Sequence, residues 1–203
     1  MIRLKDIPVM WLTCSKTVNE RRGKMLDSLQ QIGVTNPEQI DCPITQPYHV
    51  GLAQGHVKAL LRHSPPFLIL EDDARLIPEN HLNEFPVPFE TEALYLGTTT
   101  FGRWKRSTAQ GSVIAAEEDP DHLRIYNMLS LHAVVYFSRH YVRHVIDLML
   151  RYQRNPVGGC DDLIADTMHN HRVLCRRKPV FFQDDGRANR CTTEPIEPAF
   201  LSL

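Results

Sequence analysis

Apolar positions in this chain fall into short continuous runs, and stretches of helical periodicity separate them. Pro8 to Thr13 (PVMWLT) is an apolar run that ends in the polar Cys14-Ser15-Lys16, the pattern of a buried strand leading into a loop. A helix is expected next, with Asn19 as its N-cap, Met25, Leu26, Leu29 and Ile32 on one face, and Gly33 as its stop. The period returns from Val50 to His63 through Ala53, Val57, Leu60 and Leu61, until Pro65-Pro66 breaks it. Phe67-Leu68-Ile69-Leu70 is the clearest strand, and it runs directly into Glu71-Asp72-Asp73. Leu94 to Leu96 is a shorter strand closed by Gly97, and residues 98–127 read as irregular. Ala133 to Phe137 predicts a strand, and Ser138 then caps a helix that carries Val142, Val145, Ile146 and Met149 on one face. Asn155-Pro156-Val157-Gly158-Gly159 ends that helix. A last helix at Asp161–His169 and strands at 173–175 and 180–182 complete the pattern. Alternating strands and helices predict an α/β sandwich with a mostly parallel central sheet.

The chain has 203 residues, 42% of them apolar, which suits one domain spanning residues 1–203 with a substantial core. A formal net charge of −1 selects no class of partner. Residues 139–190 are mildly basic, with ten Lys or Arg against six Asp or Glu, which fits either a phosphate-bearing ligand or an ordinary solvated surface. The five cysteines are odd in number and never spaced as CxxC, which argues against a disulfide framework or a zinc site. No apolar run reaches the roughly 18–20 residues of a membrane span, and Met1 to Asp6 lacks the apolar stretch of a signal peptide. The expectation is a soluble protein of the cytoplasm; its oligomeric state is not legible.

Ligands of open α/β sheets bind at the carboxyl ends of the strands. Three polar clusters fall there: Thr13-Cys14-Ser15, Glu71-Asp72-Asp73 and Gln183-Asp184-Asp185. Three successive carboxylates after a buried strand repel one another, and a hard divalent cation such as Mg²⁺ or Mn²⁺ relieves that repulsion. An acidic turn in solvent is the plainer alternative. Asp161-Asp162 opens a helix after Gly158-Gly159-Cys160, where acids either cap the helix or serve as a general base. Asp184-Asp185 is either a turn or a late metal ligand.

In order and content these segments resemble the glycosyltransferase family of bacterial lipooligosaccharide and procollagen galactosyltransferases. Asn19-Glu20-Arg21-Arg22 resembles that family's "ER" segment, and Gly51-Leu52-Ala53-Gln54-Gly55-His56 its glycine-rich stretch, with Gly55 where the family usually has serine. The most specific piece is Leu68-Ile69-Leu70-Glu71-Asp72-Asp73-Ala74, close to L-x-L-E-D-D-[VA]. Leu94 to Gly97, His132 to Ser138, Asp161-Asp162-Leu163 and Pro179 to Gln183 follow in the family's order, so the resemblance covers almost the whole chain. It implies a GT-A fold, a nucleotide-sugar donor (UDP-linked) and a divalent cation. On the same resemblance Glu71, Asp73 and Asp185 would hold the cation, while Thr13, Ser15, Arg21, His56, Asp72 and Gln183 would line the donor. Asp161 or Asp162 would orient or deprotonate the acceptor hydroxyl in a single displacement with inversion.

Two other classes compete: a metal-dependent phosphodiesterase or nuclease, and a non-catalytic nucleotide-sugar binding module. The implied acceptor is a saccharide such as a lipooligosaccharide core. Hydroxymethylated DNA is the second choice, since Arg103-Trp104-Lys105-Arg106 would suit phosphate contact and base stacking.

Overall fold

A computed structural model describes residues 1–14, 18–82, 84–103, 111–184, 193 and 195, with backbone alone at 14 and 18–20. Its strands are β1 (Val9–Cys14), β2 (Glu38–Cys42), β3 (Phe67–Glu71), β4 (Ala74–Leu76), β5 (Ala93–Tyr95), β6 (Phe101–Gly102), β7 (Gly111–Ser112), β8 (Ala115–Asp119), β9 (His122–Ile125), β10 (Ala133–Tyr136), β11 (Val173–Arg176) and β12 (Phe181–Gln183). Its α-helices are α1 (Val18–Gln31), α2 (Tyr48–Leu60), α3 (Arg139–Arg154) and α4 (Asp162–Thr167).

Eight strands form the central sheet in the order β2-β1-β3-β10-β5-β11-β9-β8. Parallel pairs join β1 to β2, β1 to β3 and β5 to β11. Antiparallel pairs place β10 between β3 and β5, and hang the β8–β9 hairpin on β11. Six of the eight strands therefore point the same way, with β10 and β9 reversed. The sheet is mostly parallel in direction, as expected, and the reversed β10 at its centre is what the apolar pattern could not show.

The pleat of each central strand divides its side chains between two cores. Met10, Leu12, Phe67, Ile69, Tyr95, Val134 and Tyr136 face α2, α3 and α4, packing against Ala53, Leu60, Val145, Met149 and Ile164. Val9, Trp11, Leu68, Leu70, Leu94 and Val135 face the other way, against Met25 and Leu29 of α1 and the small β4–β12 sheet. Helices thus cover both faces, and the chain is an α/β protein with one Rossmann-like sandwich. The runs at 67–70 and 133–136 lack alternation because both their faces are buried.

The α2 helix lies unusually close to β2. A Cβ on Gly51 would overlap the carbonyl of Pro43, and one on Gly55 would overlap Cys42 Sγ. That contact explains glycine, not serine, at position 55. Ser138 caps α3 as expected, its Oγ accepting from the Tyr141 backbone N–H at 3.2 Å.

Residues 98–127 are not irregular: the described ones hold four short strands, and β8–β9 extends the main sheet. Glu117-Glu118-Asp119-Pro120 reads as an acidic turn in the sequence, but Ala115–Asp119 is a strand, edge-lying and half-exposed. β2 was also missed, since its Glu-Gln-Ile-Asp-Cys sequence lacks an apolar run. The hairpin takes up three of the ten basic residues of 139–190. Arg172 pairs with Glu118, Arg176 with Asp121 at 3.7 Å and Arg177 with Glu117 at 3.3 Å.

Among the described side chains Cys42, Cys160 and Cys175 are buried. No helix among the described residues is long and apolar enough to cross a membrane.

Candidate active site

Three of the sequence-derived clusters converge at the carboxyl ends of β1, β3 and β12. Asp72 and Asp73 form the tight connection from β3 to β4, a position where aspartate is favoured for conformational reasons alone. The connection is clamped: Arg75 Nη1 donates to the carbonyls of Asp72 at 2.9 Å and Ala74 at 2.8 Å. Pairing of β12 with β4 sets Gln183 opposite Ala74, and the Asp184 backbone N–H donates to the Asp73 carbonyl at 2.8 Å.

The three carboxylates of the motif do not converge. Asp72 accepts from Thr13 Oγ1 at 3.1 Å and from Arg21 Nη1 at 2.7 Å. Asp73 Oδ2 accepts from Gln183 Nε2 at 3.2 Å and lies 3.6 Å from Arg21 Nη1. Asp184 pairs with Lys24 at 3.3 Å and Arg75 at 3.6 Å, so three acids face three bases on the α1 side. Glu71 ends β3, and the pleat turns it to the opposite face, where its Oε1 is 3.2 Å from His56 Nε2 of α2.

Asp73 Oδ1 is buried and has no partner among the described residues. An orphaned buried oxygen costs about 1–3 kcal/mol and points to a water or ion that would satisfy it. Burial, followed by repulsion from Glu71, pushes the Asp73 carboxyl up to about 7. Among the described residues no three His, Cys, Asp or Glu side chains come within ligating reach of one another. Asp73 therefore fits a magnesium-like ion held by one or two carboxylates and substrate phosphates, not an all-protein cage.

On the Glu71 face, Asp161 and Asp162 precede and open α4. Asp161 stands at the N-cap position, yet its side chain makes no capping bond. Burial, then the charges of Asp162 and Glu71, push its carboxyl up to about 6, with His56 acting in the opposite sense. Asp162 is engaged: it accepts from the Gly159 N–H at 2.9 Å and pairs with Arg103. Arg103 also lies 3.5 Å from Asp166. Gly158 has φ +76°, and a Cβ there would overlap the Asp162 carboxylate, so the turn needs glycine twice over.

Of the expected residues, Thr13, Arg21, Asp72, Asp73 and Gln183 gather on one face, and Glu71, His56, Asp161 and Asp162 on the other. Ser15, Asp185 and Trp104-Lys105-Arg106 lie outside the described residues. His56 is fully buried and turned to Glu71, which makes it a partner of a protein carboxylate. Sequence reading missed Arg75 and Lys24, because lone basic residues carry no local signal. It also missed Tyr48, an exposed aromatic at the start of α2 close enough to Arg21 to act on its charge. His132 is buried against Gly97, with Nδ1 2.9 Å from Ser130 Oγ.

No protein-family model matches the chain, and no curated protein matches it. Solved structures superpose only distantly. CTP:phosphocholine cytidylyltransferase from Streptococcus pneumoniae gives a TM-score of 0.46 at 9% identity, over 88% of this chain and 73% of that one. A nucleoside-diphosphate-sugar pyrophosphorylase from Vibrio cholerae RC9 gives 0.45 at 8%, over 89% and 77%. Both scores fall below 0.5, so the fold rests on this chain's own strand order and packing.

Proposed function

We propose that this chain is a glycosyltransferase of GT-A type, moving a sugar from a UDP-linked donor to an acceptor hydroxyl with Mn²⁺ or Mg²⁺. One observation carries the reading: a single strand end presents a charge-matched acid–base cluster on one face and, on the other, a half-buried carboxylate, Asp161, that makes no helix-capping bond. Transfer of a sugar from a diphosphate needs both.

Asp73 would hold the cation, with Asp185 a further candidate, and the bound ion would neutralise charge on the departing diphosphate. Arg21 and Lys24 supply positive charge beside it, and Tyr48 offers a face on which the nucleobase can stack. On the other face Asp161 acts as base and Asp162 as a positioning residue, because Asp162 is already spent on Arg103 and Gly159. The acceptor oxygen forms its bond to the anomeric carbon as its proton passes to Asp161. The bond from that carbon to the phosphate oxygen breaks, and its electron pair leaves on UDP. Positioning and charge stabilisation supply most of the rate.

A saccharide acceptor is favoured over DNA, since Arg103, Arg172, Arg176 and Arg177 are held in ion pairs with this chain's own acids. A thermal-shift series with UDP, with and without Mn²⁺, tests the assignment, alongside mass-spectrometric detection of UDP released from UDP-glucose and UDP-galactose. UDP at about 100 times its dissociation constant adds about 2.7 kcal/mol of stability. Stabilisation that needs Mn²⁺ is expected. Cleavage of oligonucleotides with no response to UDP would overturn the reading in favour of a nuclease.

A further inference from the structure

Gly158-Gly159-Cys160 leads into Asp161, and contacts from three elements define that turn. Tyr152 Oη of α3 donates to the Gly158 carbonyl at 2.9 Å. The Gly159 N–H donates to Asp162 Oδ2 at 2.9 Å, and the same oxygen pairs with Arg103 Nη1. Arg103 is itself anchored beyond β6. Its backbone N–H donates to the Asn127 carbonyl at 2.8 Å, and Asn127 Oδ1 accepts from the Ile114 N–H at 2.6 Å. Its Nε lies 3.5 Å from Asp166 Oδ1, one turn further along α4. The carboxylate of Asp161 is placed by the same turn. A Cβ on Gly159 would overlap Asp161 Oδ1, so the carboxylate occupies the space that any other side chain at 159 would fill. Unlike Gly158, Gly159 has no positive φ, so space and not backbone conformation is what calls for glycine there.

Resting on the transferase reading above, we infer that Gly159 and Arg103 are positioning residues for Asp161: the bare Cα of Gly159 is the berth of the base's carboxylate, and the Arg103–Asp162 pair holds that berth in place. Arg103 acts through Asp162, whose Oδ2 it shares with the Gly159 N–H. A shift of the guanidinium is therefore passed to the Gly159 backbone and from there to the carboxylate lying against it. The end of β6, whose arginine suits phosphate contact in the sequence, thereby belongs to the acceptor side of the site.

The test separates nucleotide binding from turnover in Gly159→Ala, Arg103→Gln and Arg103→Lys. Calorimetry measures UDP binding in Mn²⁺, and steady-state kinetics follow hydrolysis of UDP-glucose or UDP-galactose, with water as acceptor. Gly159→Ala is the sharpest variant, because the atom its methyl group displaces is the tip of a side chain, which can move without unfolding the turn. It is expected to keep UDP affinity and KM within about twofold while kcat falls about 100-fold through misplacement of the base. Arg103→Gln reaches the same carboxylate from the other end of the chain of contacts and is expected to show the same split. Arg103→Lys keeps a cation for Asp162 and is expected to recover about tenfold of the kcat that Arg103→Gln loses. A kcat within threefold of wild type in Gly159→Ala would overturn the inference, as would a loss of UDP affinity in step with kcat. Arg103→Lys no more active than Arg103→Gln would overturn the part given to Arg103. Wild type that binds no UDP in Mn²⁺, or hydrolyses neither donor, overturns the transferase reading first, and this inference with it.

Discussion

The two faces of the β3 terminus carry similar numbers of acids but treat them differently. On the α1 side, Asp72, Asp73 and Asp184 sit among Arg21, Lys24 and Arg75. On the α2–α4 side, among the described residues, Glu71, Asp161, Asp162 and Asp166 meet one arginine, Arg103, and the imidazole of His56. Arg103 is taken by Asp162 and Asp166, so Asp161 is left in a desolvated place with negative neighbours. A charge-matched cluster suits a polyanionic ligand that exchanges ion pairs as it enters. A desolvated, repelled carboxylate suits proton transfer, because its affinity for a proton is drawn towards neutrality. The contrast says more than either acidic motif does alone.

The largest effect that can break this contrast is at Asp161. Asp161→Asn should lower turnover by roughly 10²–10⁴-fold while leaving UDP affinity intact. Its stability should move the other way. The folded carboxyl titrates at about 6, above the ordinary aspartate value, so the folded state loses stability as pH rises from about 4 to 6. Removing the charge should therefore stabilise the protein at pH 7, by about 1–3 kcal/mol. A helix-capping role predicts the reverse, a loss of ~1 kcal/mol. In wild type, turnover should fall about tenfold per pH unit below about pH 6, as the base is protonated.

On the other face, Thr13→Val removes a donor from Asp72 Oδ2. The expected cost is about 1.5–3 kcal/mol in denaturant unfolding, the range for hydrogen bonds to charged groups. An unchanged midpoint would mean that water replaces the hydroxyl without loss, and that Asp72 is less tightly held than described.

Gly55→Ser restores the residue usual in the resembled family. It should nonetheless destabilise by about 1–3 kcal/mol, since its Cβ overlaps Cys42 Sγ. Cys42→Ala in the same background should recover much of that loss; failure to recover it would locate the strain elsewhere.

The smallest expected effect concerns the salt dependence that the basic run at 103–106 could confer. Replacing Arg103, Lys105 and Arg106 together should leave the salt dependence of transfer onto a neutral saccharide almost untouched. A DNA acceptor would show a steep slope that the triple change flattens.

The legible parts of the molecule were those where burial leaves a local mark. β3 and β10 are buried on both faces, so each is a continuous apolar run. β2 and β8 are edge strands with Glu and Asp among their residues, and their pairing is set by partners far along the chain. The acids of the site were visible as types, because adjacent carboxylates after a buried strand are rare without a reason. Their division was not visible. Glu71 meets a residue 15 positions earlier and Asp72 one 59 positions earlier, and only the pleat together with the α2–β2 contact decides which goes where. Arg103 suits phosphate contact in the sequence for the same reason, since its partners Asp162 and Asp166 lie in another element.

The division of labour across β3 is tested most directly by measuring UDP affinity with and without Mn²⁺ in wild type, Asp73→Asn and Asp161→Asn side by side. Wild type and Asp161→Asn should show the same Mn²⁺-dependent gain, and Asp73→Asn should show none. An Asp161→Asn protein that loses the gain, or an Asp73→Asn protein that keeps it, would contradict the account.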